Sequence, residues 1–165
     1  MTRRRRTSGA DGLITLRLIY LSFVVALVAI GAVVVILEAN AALGTTVEEG
    51  PVAAAVVAVG VGSVLAGLLV RRPLPCGSAS ELAGGYRVRF FLRIAFAEVA
   101  ALAGFVGFVL TAAGWLYPLG AAFAAIGFTR LAPTARHLQR DQEELRAGGC
   151  PEPLVPALRG ATTRR

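Results

Sequence analysis

The chain has 165 residues, of which 56% are hydrophobic and only 16% are charged, and its net charge is +7. A soluble domain carries roughly 25% charged residues, so this chain has too little polar surface for that class. Two cysteines and long apolar runs also exclude a disulfide-rich scaffold, a collagen-like chain and a disordered chain. The composition therefore indicates an integral membrane protein.

Four apolar stretches follow one another along the chain, at about residues 13–37, 52–70, 88–112 and 115–131. A hydrocarbon core about 30 Å thick needs about 20 helical residues at 1.5 Å each, and all four stretches are near that length. None alternates like a barrel strand, and helices satisfy their own backbone hydrogen bonds in lipid. We expect an all-α fold in which four transmembrane helices form a small bundle.

All 17 basic residues are arginines, and their distribution predicts the orientation of the helices. They lie before or at the start of the first stretch, around the loop between the second and third, and at the end of the fourth or after it. The connections 38–51 and 113–118 contain none. Because positive loops stay in the cytoplasm, both termini and the middle loop are predicted to be cytoplasmic. An arginine-only, Ala/Gly/Val-rich composition also indicates a bacterial protein, and hence a multi-pass protein of the bacterial plasma membrane.

Residues near the bilayer surfaces are expected to anchor the helices. They are the arginines around the loop between the second and third stretches and two aromatic residues of the outer side: Arg71, Arg72, Arg87, Arg89, Arg93, Trp115 and Tyr117. Attraction to anionic lipid headgroups is worth about 1 kcal/mol for each basic residue near the surface. The basic charge therefore predicts the lipid bilayer as the partner, and no nucleic acid, since base-reading groups are not evident.

Two cytoplasmic segments are expected to flank the spans. Residues 1–12 form a basic amino-terminal tail, and residues 133–147 form a charged juxtamembrane helix whose apolar points are Leu138 and Leu145. Prolines and glycines predict a flexible cytoplasmic tail over residues 148–165.

The first stretch has an alternative interpretation as a secretion signal, because residues 39–41 (Ala-Asn-Ala) resemble a small-residue cleavage site. Its apolar run exceeds the length of about 7–15 residues that is usual in a signal, which favours a retained helix. Cleavage would leave three spans and the rest of the topology unchanged.

The middle loop, from Arg71 to Gly85, is rich in proline and glycine and is predicted to form irregular turns. It contains Cys76, and the carboxyl-terminal tail contains Cys150. Both are predicted to lie on the reducing side of the membrane, so no disulfide is expected. With His137 as the single histidine and no C-x-x-C pair, the sequence predicts no metal site and no cofactor.

Glu98 is an acidic residue predicted to lie deep inside the third span. It follows Phe90, where that helix should enter hydrocarbon, by about eight residues or roughly 12 Å. An ionised carboxylate near the midplane costs about 3 kcal/mol or more, so Glu98 must be protonated, paired or in contact with a hydrated cavity. Arg93 lies about 140° around the same helix and cannot readily face it. Glu98 therefore either fixes helix packing or handles protons or cations.

Small residues recur every three or four positions in the apolar stretches and predict the faces through which helices pack. In the second and third stretches they are Gly60, Ser63, Gly67, Ala97, Ala100, Gly104 and Gly107. Because Glu98 adjoins this stripe on its own helix, it is expected to face protein rather than lipid.

Three features occur together in residues 52–110. They are a small-residue helix with Gly60 and Gly62, a polar turn Arg71-Arg72-Pro73, and the sequence Ala95-Phe96-Ala97-Glu98-Val99-Ala100. On these features the segment resembles the helical hairpin of the rotary ATP synthase proteolipid, subunit c. In that family the turn contacts the rotor and a carboxylate binds the transported proton or sodium ion. The resemblance implies that Glu98 corresponds to that carboxylate, in a chain with an additional predicted span on each side of the hairpin.

An enzyme is not expected, because the sequence contains no intramembrane catalytic constellation and no phosphate-binding loop. The predicted function is a non-enzymatic structural or interaction component of the membrane, with a homo-oligomer or another membrane protein as partner. The alternative is a proton- or cation-transport component that uses Glu98 as its ion-binding residue. Since four helices enclose only a thin pathway, that alternative requires a homo-oligomer.

Overall fold

The computed structural model describes residues 11–40, 47–69, 74–132, 134–150 and 152–159. Regular structure in these residues is helical throughout, which confirms the predicted all-α class. In chain order the helices are α1 (Asp11–Ala39), α2 (Glu49–Leu69), α3 (Ala79–Thr111), α4 (Leu116–Leu131), α5 (Ala135–Ala147) and α6 (Leu154–Leu158).

The described residues fall into two compact units. One, here called the apolar unit, comprises the described parts of residues 21–71 and 90–132. The other, here called the basic unit, comprises the described parts of residues 1–20, 72–89 and 133–165.

Among the described residues, three helices are long and apolar enough to cross a membrane: residues 14–39 of α1, all of α2, and all of α3. α4 is apolar but has 16 residues, and its length of about 24 Å is less than a hydrocarbon core of about 30 Å. The outer face of α1 carries apolar side chains that are each more than half exposed: Ile14, Leu18, Leu21, Val25 and Val28. A continuous apolar surface of this kind is compatible with a membrane protein and rare in a soluble one.

In the apolar unit, α4 contacts the other three helices. Each contact includes a glycine of the neighbouring helix: Gly31 of α1 lies against Tyr117, Gly60 of α2 against the ring of Phe123, and Gly104 of α3 against Gly120. The shortest of the four apolar helices thus packs against all three others.

The contact between α3 and α4 joins backbone to backbone. A Cβ atom on Gly104 would lie 2.5 Å from the carbonyl oxygen of Leu116 and 3.1 Å from the Cα atom of Gly120. Farther along the same pair of helices, a Cβ atom on Gly127 would lie 2.7 Å from the Cβ atom of Ala97. Small residues thus allow the two backbones to approach closely, as the stripe on α3 predicts.

The remaining small residues of the predicted stripes differ in what surrounds them. Gly60, Ser63, Ala100 and Gly107 are buried. A Cβ atom on Gly67, by contrast, would have no neighbour within 4 Å, so this glycine does not mark a close helix contact.

α3 begins nine residues before the predicted start of the third span, so the expectation of irregular turns as far as Gly85 is wrong. The helix is capped by Ser78, whose Oγ accepts a hydrogen bond from the Glu81 N–H at 3.3 Å. Ser78 and Glu81 have the S-x-x-E spacing of a capping box. Gly85 lies inside the helix, where a Cβ atom would come 2.6 Å from the Cδ atom of Pro75. The loop therefore packs against α3 at this glycine.

Several predictions about the chain's polar segments concern residues that lie outside those described. These include the first ten residues of the predicted basic tail, the turn residues Arg71 and Arg72, and residues 41–46 beyond the possible cleavage site. Asp11 and Gly12, predicted to belong to the tail, are the first residues of α1.

The carboxyl-terminal segment is folded over residues 148–150 and 152–159, which corrects the prediction of a flexible tail. α5 occupies the position of the predicted juxtamembrane helix and buries Leu138 and Leu145. α6 buries Leu154 and Leu158. The two helices are joined by Gln142, whose Oε1 accepts a hydrogen bond from the Leu154 N–H. The apolar residues among the prolines thus form a small packed element.

Cys76 and Cys150 form a disulfide, which overturns the expectation that these cysteines are unpaired. Their Cα atoms are 5.7 Å apart, an ordinary distance for a disulfide. Gly149 directs the chain toward Cys76 after α5, because its φ of +82° is a conformation that glycine adopts at low cost. The Cys150 N–H then donates to the Leu145 carbonyl oxygen at 2.9 Å, which completes a Schellman end to the helix.

Replacement of Gly104 by valine is expected to destabilise the apolar unit by about 3 kcal/mol, because the added side chain would overlap the backbone of α4. Thermal unfolding of the purified protein in detergent micelles measures this loss. Gly62→Val is the matched control, since a Cβ atom on Gly62 has no neighbour within 4 Å. Equal stability of the two variants would show that α3 and α4 do not cross at Gly104.

Candidate functional site

Glu98 lies on the outer side of α3, away from the side that contacts α4. Its neighbours along this outer side, Ala95 and Leu102, are exposed, and Glu98 is half-buried. By contrast, Ala97 and Ala101 are buried. The expectation that Glu98 faces the interior of the protein is therefore wrong for a single chain. The small residues fill the inner face of α3 and leave the carboxylate outside it.

Within the described part of the chain, no residue makes a hydrogen bond or an ion pair with the Glu98 carboxylate. A structural role through a hydrogen bond within one chain is thus not realised here. The carboxylate is instead open to whatever surrounds α3, which is lipid, water or another polypeptide.

An apolar groove of about 550 Å³ lies between α2 and α3. Its lining residues are uncharged and apolar, and include Val52, Val56, Leu102 and Val106. Leu102 follows Glu98 by about one helical turn on α3, so the groove begins beside the turn that carries Glu98. The groove fits hydrocarbon or another helix, since its walls offer a polar ligand no partner.

Trp115 and Tyr117, predicted as equivalent interface anchors, have different surroundings. Trp115 is 49% exposed, and its indole N–H donates a hydrogen bond to Glu49. Tyr117 is only 6% exposed and forms a core cluster with Val34 and Phe108. α4 directs the ring of Tyr117 toward α1, so Tyr117 packs inside the protein, and its interfacial depth stays a prediction.

The hydroxyl group of Tyr117 donates a hydrogen bond to the backbone carbonyl oxygen of Leu27 in α1. Gly31, one turn further along α1, makes room for the ring, whose Cε1 atom lies 3.0 Å from the position of a Cβ atom on that glycine. Tyr117 is thus a residue that ties α1 to α4. The sequence feature that indicates this contact is Gly31, a lone glycine within an apolar stretch.

The basic unit contains a second group of polar side chains, where α5 meets the first turns of α3. The Tyr86 hydroxyl donates to Asp141 Oδ2 at 2.9 Å, and Arg89 Nη2 lies 3.9 Å from Glu144 Oε2. The Arg89 side chain is 14% exposed and that of Glu144 is 59% exposed. Because the carboxylate is solvated, this ion pair contributes little stability. Arg89, predicted to meet lipid headgroups, thus also lies near a protein carboxylate.

The other predicted anchors on α3 are Arg87, which is exposed, and Arg93, which is half-buried. In the residues that the structure describes, no three histidine, cysteine or acidic residues cluster as metal ligands would. The single histidine, His137, lies in the first turn of α5, where its backbone N–H donates to Thr134 Oγ1 at 3.4 Å. His137 thus belongs to the capped amino-terminal end of α5.

Comparison of the chain with protein-family models, with curated proteins and with solved structures finds no match. The similarity of residues 52–110 to the ATP synthase proteolipid thus stays a prediction. The function is inferred from the residues and geometry described above.

Replacement of Tyr117 by phenylalanine is expected to lower the free energy of unfolding by about 1 kcal/mol, because the Leu27 carbonyl loses a side-chain donor while the packing is kept. Urea or thermal unfolding in micelles measures the change. Trp115→Phe is the control, as its hydrogen bond to Glu49 is exposed and should matter little. If the tyrosine variant were as stable as the wild type, the α1–α4 hydrogen bond would not form.

Proposed function

We propose that this chain is a non-enzymatic, multi-pass structural or interaction component of a bacterial plasma membrane. In this proposal α1 to α4 all cross the bilayer and both termini lie in the cytoplasm. The observation that carries the proposal is the outward-facing apolar surface of the long helices, which needs a hydrocarbon environment or a protein partner to cover it.

The proposal of a fourth span is supported by the packing of α4. Its buried face contacts α1, α2 and α3, so it lies within the same layer of helices. A helix about 24 Å long can be accommodated by local thinning of the bilayer or by its flanking residues, at a modest cost. Trp115, exposed at its start, is suited to an interface.

The proposed orientation is supported by the charges of the connections. Arginine is concentrated at both ends of the chain, before α3 and in the first half of α3, whereas residues 38–51 carry three glutamates and no arginine. The positive-inside rule places the arginine-rich segments in the cytoplasm. The same segments would bring Arg87 and other exposed arginines to the level of anionic headgroups.

Reporter fusions test this topology. A fluorescent protein fused after Arg165 should fluoresce, and alkaline phosphatase inserted after Val47 should be active, because only the second site lies outside the cell. Alkaline phosphatase fused after Arg165 is the control and should be inactive. The opposite pattern would place the arginine-rich side outside and refute the proposed orientation.

The alternative function, a proton- or cation-transport component, is supported by the outward position of Glu98. Glu98 lies thirteen residues before the end of α3, which is about 20 Å along the helix. If α3 leaves the hydrocarbon near Thr111, the carboxylate is within about 5 Å of the midplane. A second copy of the chain seated over the groove would complete a site there, and an ionisable residue at this depth is by default a functional candidate.

Carbodiimide labelling across pH tests the alternative, because carbodiimides modify protonated carboxyl groups in apolar surroundings. Intact-mass measurement on protein in membranes should show one adduct at low pH that declines as pH rises and Glu98 ionises. Glu98→Gln should abolish the adduct, and Glu49→Gln, which removes an exposed carboxylate, should leave it unchanged. A protein without Glu98-dependent labelling at any pH would not handle ions through this residue.

A further inference from the structure

We propose that the Cys76–Cys150 disulfide is a reversible clasp that holds α5 and α6 against the first turns of α3 and opens when cytosolic thiols reduce it. The proposal rests on the cytoplasmic orientation proposed above. Stable disulfides are rare in reducing compartments, where those that occur are usually transient or redox-sensing.

The bond lies where it decides whether the carboxyl-terminal segment is docked. Cys76 lies three positions before the first residue of α3, and Cys150 follows α5. The residues between the bond and the end of α6 are therefore tied at one point to the start of α3. Without the bond, the segment is attached covalently only through the chain leading into α5.

After reduction, non-covalent contacts alone hold the segment. α6 has five residues, which is too short for a helix to be stable alone. The Arg89–Glu144 ion pair is solvent-exposed on one side and weak. The Tyr86–Asp141 hydrogen bond and a small set of buried leucines then oppose the entropy of the released segment. Such a balance makes docking depend on the disulfide.

The two sulfur atoms differ in their access to a reductant. Cys150 is 3% exposed, whereas Cys76 is only half-buried. A cytosolic thiolate therefore attacks Cys76 Sγ, forms a mixed disulfide with it and releases Cys150 as a thiolate, which takes up a proton. A second reductant thiol resolves the mixed disulfide, so that two cysteine thiols form and the reductant leaves as a disulfide. The step transfers two electrons and is reversed by an oxidant.

Release changes the surface of the basic unit. Asp141 and Glu144 move away from Tyr86 and Arg89, and the arginine loses its protein carboxylate. The reduced form thus presents a basic start of α3 that the oxidised form covers with acidic side chains. Reduction therefore exposes Arg89, which the oxidised form pairs with Glu144.

Thiol trapping in intact cells tests the clasp. Acid-quenched cells are alkylated with maleimide-polyethylene glycol, and the full-length protein is resolved by gel shift. In growing cells most chains should carry two free thiols, and after the permeant oxidant diamide the closed fraction should rise about tenfold, then fall when the oxidant is removed. Cys76→Ser and Cys150→Ser each remove the bond and identify the band for a single thiol.

The two ways of failing are distinguishable. Thiols that stay free during diamide treatment would overturn the clasp and leave the cytoplasmic orientation standing. A bond that is closed in growing cells and is opened by a membrane-impermeant phosphine added outside would overturn both the clasp and that orientation. The reporter fusions then give an independent reading of the orientation.

Hydrogen exchange tests the release itself. In membranes, amides of residues 154–158 should exchange about tenfold faster after reduction, while those of α4 should not change. The double variant Cys76→Ser/Cys150→Ser should exchange at the reduced rate with or without reductant. Equal protection of residues 154–158 in the oxidised and reduced protein would show that the segment stays docked without the bond and would overturn the proposal.

Discussion

The close backbone contact between Gly104 of α3 and Gly120 of α4 is the constraint on which the apolar unit depends. In lipid the hydrophobic effect gives helices no reason to associate, so van der Waals contact and a few hydrogen bonds must hold them together. Close contact needs small residues on both sides, and α4 finds a glycine on each neighbouring helix. α1 is the least buried of the three long helices, and the hydrogen bond from Tyr117 to Leu27 joins it to α4.

This packing also decides where Glu98 lies. The inner face of α3 is filled by alanine and glycine that meet α4, and no carboxylate fits there without separating the backbones. Glu98 is consequently left on the outer side, beside an apolar groove and without a partner among the described residues. The basic unit differs in that a covalent bond adds to its buried leucines and to a few polar contacts. A disulfide can be opened by a reductant, whereas close packing of helices cannot.

Predictions from the sequence succeeded where one physical pattern acted alone. Long apolar runs predicted the helices because backbone hydrogen bonds have no other solution in lipid. The start of α3 is hidden in the sequence because Gly84 and Gly85 are typical of a loop, although the S-x-x-E spacing of Ser78 and Glu81 is a helix-start signal. The sequence does not reveal α6, because the prolines of this segment are typical of a flexible tail, whereas the burial of its leucines depends on the fold. The candidate site was identified as Glu98, but its outward orientation depends on which face α4 occupies.

The sequence by itself determined the helical class, the apolar surface and the asymmetric placement of the arginines, since each follows from local composition and from hydrogen bonding within one segment. Only the tertiary structure shows that α4 packs against α1, α2 and α3, that Tyr117 is buried while Trp115 is not, and that Cys76 meets Cys150. These features join residues distant in the chain. A glycine in an apolar run has the same local pattern whether it faces open space, as Gly62 does, or a second backbone, as Gly104 does.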